Sequence, residues 1–205
     1  MTQASVTELP PVFDGIEAVC FDAFGTLVEI TGRRQPFRPL FKALSPQKRH
    51  ELKYRLMRED RAFTDWPDAL GAEVDPRELL EVMERVLIET GSIALRPGMA
   101  DIWARLRGEG LRLALCSNLA NDYVTSLRSA LHDPPDVKVL SCKVGAIKPE
   151  PMIYARVLDG LQIEPSRVLF VGDTRRADIE GPRKAGMKAM HVGELERIMG
   201  RNKQF

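Results

Sequence analysis

Four places in this chain carry residues suited to displacement chemistry: Asp22, Ser117-Asn118, Lys148 and Gly172-Asp173. An aspartate can attack phosphorus or carbon as a nucleophile. A lysine can offset the charge of nucleophile and substrate, a hydroxyl can hold an oxygen of the reacting group, and a second carboxylate completes the set. Each residue also has a plainer reading. Asp22 caps a turn, Ser117-Asn118 forms one, Lys148 is simply solvated, and Asp173 and Asp178 cap a following helix. Convergence favours the chemical reading, because residues from four distant parts of the chain reach one place only if the fold brings them there.

The hydrophobic pattern predicts such a fold. Ile16–Phe21 is a short apolar run of strand type, ending at Asp22 with Gly25 in the turn beyond. From Met99 onward the chain alternates. A helix over Met99–Arg107 precedes a strand over Leu111–Cys116, and a helix over Asp122–Leu131 precedes a strand over Val137–Leu140. A helix opened by Pro149 runs to Leu158, a strand spans Arg167–Val171, a helix reaches Ala185, and a last strand spans Lys188–Val192. Strands alternating with helices imply an α/β fold, a doubly wound parallel sheet covered on both faces. In such sheets sites form beyond the carboxyl ends of the strands, where Asp22, Ser117 and Asp173 fall.

Between the first strand and this alternation, the pattern is helical. Ser45-Pro46 and Asp75-Pro76 are helix starts. Leu52, Leu56 and Phe63 follow the first, and Leu79, Val82, Met83, Val86 and Leu87 form an apolar stripe after the second. Pro97-Gly98 closes the segment, and no strand is expected in it. The organisation is therefore a core over 12–31 and 97–205 with a helical insertion over 32–96. Residues up to Pro11 read as a loose tail.

The same residues carry a resemblance. Asp22-Ala23-Phe24-Gly25-Thr26-Leu27, Leu115-Cys116-Ser117-Asn118, Val144-Gly145-Ala146-Ile147-Lys148-Pro149, and Val171-Gly172-Asp173-Thr174-Arg175-Arg176-Ala177-Asp178-Ile179 resemble, in order, the four motifs of the haloacid dehalogenase-like hydrolases. The helical insertion stands where that family carries a helical cap. The resemblance implies that Asp22 forms a covalent aspartyl intermediate, that Ser117 hydrogen-bonds the transferring group, and that Lys148 stabilises charge. It further implies that Asp22, the backbone carbonyl of Phe24 and Asp173 hold Mg²⁺, with Asp178 supporting the metal or Lys148. Mg²⁺ suits such a set of oxygen ligands. Backbone amides from Ala23 to Thr26, with Asn118 nearby, are the expected contacts to a phosphate.

One position departs from the phosphatase pattern. Family phosphatases usually carry a second aspartate two residues after the nucleophile, and here that residue is Phe24. An aromatic residue there resembles the haloacid dehalogenases, which need no metal. Their fourth motif usually has Ser and Asn where this chain has Gly172-Asp173. The fourth motif positively implies a metal, so the expected activity is Mg²⁺-dependent hydrolysis of a small anionic phosphorylated metabolite. Metal-free 2-haloacid dehalogenation is the alternative, and a non-catalytic member binding a phospholigand or a protein is the third reading.

Composition bounds the rest. The 205 residues, 44% hydrophobic and 29% charged, suffice for a buried core, and a net charge of +1 favours no particular partner. Cys20, Cys116 and Cys142 are too few and too scattered for a disulfide framework or a zinc site. No signal peptide or membrane-length apolar run is visible, so a cytoplasmic protein is expected. Arg33–Arg61 holds ten Lys/Arg against three Asp/Glu. A solvated helix face is the default reading of such a run. A surface steering an anionic substrate is the alternative, with Arg33, Arg34 and Arg38 close enough to the first motif along the chain for one of them to reach the pocket, and nucleic acid is not expected. His50, His132 and His191 show no ligand spacing, and Trp66 and Trp103 read as core.

Overall fold

The computed structural model describes residues 9–200. Strands β1 (Ala18–Phe21), β2 (Val28–Ile30), β3 (Ile93–Leu95), β4 (Arg112–Ser117), β5 (Val137–Leu140), β6 (Val168–Gly172) and β7 (Lys188–His191) form two sheets. The larger is a five-stranded parallel sheet in the order β5-β4-β1-β6-β7. Its period-two alternation builds two cores. Val19, Phe21, Leu113, Leu115, Leu169 and Val171 pack into one, while Ala18, Cys20, Ala114, Cys116, Val168 and Phe170 pack into the other. Burial on both faces explains why these strands read as continuous apolar runs. The helices Met99–Gly108, Val124–Ala130 and Pro151–Leu161 cover the sheet, as the α/β pattern predicts.

β1 lies centrally, with β4 on one side and β6 on the other. The chain order reverses there, the place where open parallel sheets form their binding crevices. The site is placed by that reversal.

Several details differ from the sequence reading. β3 lies inside the stretch expected to be wholly helical. It pairs antiparallel with β2, from Val28 opposite Leu95 to Ile30 opposite Ile93. A three-residue strand whose partner lies more than sixty positions away leaves no local periodicity to detect. The apolar stripe of helix Pro76–Gly91 is only partly inward: Val82 and Val86 are buried, while Met83 and Leu87 are exposed. Phe63 falls in a 3₁₀ turn rather than on the preceding helix. Pro149 does not open its helix, which starts at Pro151. The segment after β6 is a π-helical turn, Arg175–Glu180, followed by a short helix. Val192 ends no strand but begins the helix Val192–Gly200, which buries Leu195 and Met199. The expected loose tail is already ordered at its end, where Pro11 opens a 3₁₀ turn, Pro11–Phe13, and residues 1–8 lie outside the described residues.

The expected helix starts after Ser45 and Asp75 are present. The Ser45 hydroxyl accepts from Lys48 N at 3.4 Å, and the Asp75 carboxylate accepts from Arg77 N at 2.8 Å. Trp66 and Trp103 are core residues. Among the described residues, no helix is long and apolar enough to cross a membrane.

Candidate active site

The turn after β1 is tightly specified. Ala23 O accepts from the N–H groups of Thr26, Leu27 and Val28, and Gly25 N donates back to Val28 O at 2.8 Å. Gly25 has φ +89°, and a Cβ there would lie 2.2 Å from Asp173 Oδ2. Glycine is thus required both by the backbone and by the approach of the carboxylate. Arg96, just past β3, straps the turn by donating to Gly25 O at 2.8 Å and Thr26 O at 3.0 Å. Nothing in the spacing of the motifs announces this arginine.

Asp22 is buried at the end of β1, its N–H donating to Val171 O at 2.9 Å. Lys148, also buried, places its ammonium 2.6 Å from Asp22 Oδ1 and 2.7 Å from Asp178 Oδ1. Burial alone would lower the Lys148 pKa, but the carboxylates of Asp22 and Asp178 outweigh it and hold the ammonium charged. Burial pushes the Asp22 carboxyl up to about 6 despite the attraction of Lys148. Asp178 Oδ2 accepts from Thr174 N at 2.9 Å, so both its oxygens are engaged. Of the two roles expected for it, these contacts are those of a lysine support. They also satisfy one N–H at the start of the turn, in keeping with its capping reading.

Asn118 lies on the wall of a cavity and also has partners within the protein. Its side chain clamps the Lys148 backbone, accepting from Lys148 N at 2.7 Å and donating to Lys148 O at 3.0 Å. One N–H and the carbonyl oxygen of its amide thus hold the lysine loop. Glu150 fixes the same loop by accepting from Ile147 N at 3.0 Å and from Arg58 Nη2 at 2.5 Å. Arg58 lies just past the helix Pro46–Arg55, so that part of the chain is tied directly to the lysine loop. Arg55 is likewise paired with Glu51 and Glu59, and Arg61 with Glu59. Carboxylates thus pair with Arg55, Arg58 and Arg61, three of the ten basic residues of the run.

The hydroxyls of Ser117 and Thr26 are buried without a partner among the described residues. Buried polar groups are nearly always paired, so an orphan calls for an explanation. Ser117 ends β4, beside β1. Thr26 is wholly buried.

Asp173 is exposed, with Oδ1 accepting from Thr174 Oγ1 at 3.0 Å. Carboxylate oxygens of Asp22, Asp173 and Asp178 all lie within 4.8 Å of one another. The donor set is oxygen only, which suits a hard divalent cation such as Mg²⁺. Phe24 packs edge-on against Tyr123, with ring centroids 5.9 Å apart, on the wall of an adjoining cavity. Arg33 lines that cavity, whereas Arg34 and Arg38 do not.

Glu89 was missed by the sequence reading. It is buried on helix Pro76–Gly91 and accepts from Tyr123 Oη at 2.8 Å, Arg34 N at 2.5 Å and Gln35 N at 3.0 Å. The signal was present: Glu89 lies three residues after Val86 and seven after Val82, on the inward face.

The family follows from a direct comparison. A family model described as haloacid dehalogenase-like hydrolase matches residues 16–186. The chain belongs to the haloacid dehalogenase-like hydrolases. It is an enzyme with that family's Rossmann-like core, and its relatives include phosphatases. A CbbY protein of Cereibacter sphaeroides is 30% identical over 193 residues, covering 85% of this chain and 83% of its own. A glyceraldehyde 3-phosphate phosphatase of Methanopyrus kandleri is 27% identical over 208 residues, covering 91% and 89%. The solved structure of CbbY from Rhodobacter sphaeroides in complex with phosphate superposes with a TM-score of 0.57 at 26% identity, covering 86% of this chain and 85% of that one.

Within this hydrolase site, Lys148 holds apart two carboxylates that would otherwise face each other. Lys148→Met should therefore cost about 3–5 kcal/mol of stability, the usual penalty for breaking a buried ion pair. It should also cost about 10²–10³-fold in turnover, as removal of an electrostatic stabiliser does. Thermal unfolding and steady-state kinetics on the same preparation check both. Wild-type stability in the variant would mean that the pair is not formed in solution.

Proposed function

We propose that the protein is a Mg²⁺-dependent phosphomonoester hydrolase acting on a small phosphorylated metabolite through an aspartyl-phosphate on Asp22. The observation that carries this reading is Asp173 standing beside Asp22, with Gly25 leaving room for its carboxylate. Asp22, Asp173 and the backbone carbonyl of Phe24 would hold the ion. When bound, Mg²⁺ would offset the repulsion between anionic nucleophile and anionic substrate.

The chain's own residues do the rest. Asp22 attacks phosphorus as the ester P–O bond breaks and the electron pair leaves with the alcohol oxygen. Lys148, fixed by Asp178 from one side and by Asn118 through its backbone, keeps a positive charge against Asp22 and the incoming phosphoryl oxygens. The otherwise unpaired Ser117 hydroxyl donates to one of those oxygens. Water then cleaves the aspartyl-phosphate and releases inorganic phosphate. Three buried free thiols suit a reducing compartment, and we place the protein in the cytoplasm.

Phe24 favours a second reading, metal-free dehalogenation of a 2-haloacid, since a departing halide needs no proton. The two readings part at Asp173. Under the hydrolytic reading, phosphate release requires added Mg²⁺, stops in EDTA, and falls at least about 100-fold in Asp173→Ala, since even loss of a group supporting a metal ligand costs up to that much. Halide release from 2-chloropropionate that is unchanged by EDTA and by Asp173→Ala would replace it with the dehalogenase reading.

A further inference from the structure

The cavity next to Phe24 has a volume of about 280 Å³. It adjoins the reaction centre through the chain itself, since its wall includes Phe24, two residues after Asp22, and Asn118, the residue after Ser117. The cavity is therefore a space open to the ester group of a phosphate held at Asp22. Three aromatic rings, those of Phe24, Phe37 and Tyr123, line it together with Leu56 and Met57.

Apart from Arg33, the polar lining residues already have partners within the protein. Glu89 accepts three hydrogen bonds, from Tyr123 Oη, Arg34 N and Gln35 N. Asn118 uses one N–H and its carbonyl oxygen on the Lys148 backbone. Tyr123 gives its proton to Glu89. Among the described residues lining the cavity, Arg33 is the one charged side chain whose end makes no hydrogen bond or ion pair. A leaving group rich in hydroxyls would lose water here and find few partners, and each polar group left unpaired weakens binding. A flat apolar ring would meet aromatic faces and edges and need no partner. Position 24 also offers no proton donor, which disfavours an alkoxide leaving group and tolerates a phenolate.

We propose that this cavity selects an aryl phosphate, a phosphomonoester whose leaving group is aromatic, with Arg33 at the wall able to pair with an acidic ring substituent. The assignment rests on the hydrolytic reading only for where the phosphate sits. Binding and chemistry can be separated with non-hydrolysable probes. Affinities for 1-naphthylmethylphosphonate and 2,3-dihydroxypropylphosphonate are measured by calorimetry with Mg²⁺ present. The naphthyl compound should bind about 100-fold more tightly, the scale expected for burying one aromatic ring system. Phe37→Ala should erode that preference about tenfold. Met57→Ala, at a more exposed position, should erode it too and serves as the check if Phe37→Ala folds poorly. Equal affinities, or a preference for the dihydroxypropyl compound, overturn the proposal, as does a naphthyl preference that survives both substitutions intact. A naphthyl preference lost in these variants, with no phosphate released from 1-naphthyl phosphate, upholds the cavity assignment and overturns the hydrolytic reading instead.

Discussion

Asp22→Asn should abolish turnover, by about 10⁴-fold or more, while leaving the protein folded. The amide is nearly isosteric but cannot form the covalent intermediate, and removal of a nucleophile typically costs on this scale. Stability should hold because burial makes the charge on Asp22 a net liability. Burial lifts its pKa from about 3.8 to about 6, more than Lys148 can offset. A carboxyl whose pKa is raised on folding contributes stability below about pH 4, and that contribution is lost as the pH rises through 6. Asparagine does not titrate, and Lys148 keeps Asp178 at 2.7 Å as its counter-ion. At pH 7 the variant should thus lie within about 2 kcal/mol of the wild type, with a flatter stability profile between pH 4 and 6. Chemical denaturation across that pH range, beside phosphate release, tests both halves. Substantial remaining turnover would remove Asp22 from the role of nucleophile.

The parts of this molecule legible in the sequence are those governed by local rules. Continuous apolar runs marked the central strands, because burial on both faces leaves no alternation. Polar residues at the ends of those runs marked the crevice, because strand order reverses around β1. Long-range pairing was not legible. β3 is three residues long and exists only because β2 is there to pair with it. Arg96 reads as an ordinary surface arginine until the ribbon folds it back onto the Asp22 turn. Asn118 has the right type to meet a substrate, yet it also uses one N–H and its carbonyl oxygen on the Lys148 backbone. Glu89 differs again: helical periodicity already put it inward, and its charge masked that signal. Its acceptors are satisfied by groups from other segments, which no local pattern reveals.

Phe24→Asp should convert the enzyme toward alkyl phosphates. A positioned general acid–base contributes about 10²–10⁴-fold, equivalent to roughly 3–5 kcal/mol of barrier, and the phenyl ring supplies none of it. Native protein should therefore favour aryl or acyl phosphates, whose leaving groups depart as stable anions. Its aspartyl-phosphate should also be slow to hydrolyse, since no side chain at position 24 activates water, and a phosphorylated Asp22 should be detectable by mass spectrometry after acid quench. The structure accommodates the change. Phe24 is half-buried on the wall of an open cavity, so a carboxylate there would keep access to water. The substitution removes the edge-on packing of Phe24 against Tyr123, an interaction worth about 0.5–1.5 kcal/mol, less than the catalytic gain. The deciding quantity is kcat/KM for para-nitrophenyl phosphate divided by that for an alkyl phosphate, in both forms. The ratio should fall steeply in Phe24→Asp, through a gain on the alkyl ester combined with weaker packing against the aryl group. If native protein already hydrolyses the alkyl ester as fast as the aryl one, and the substitution leaves the ratio unchanged, the proton comes from another residue or from the substrate. Asp22 and Asp173 would keep their roles under that outcome, and only the account of position 24 would fall.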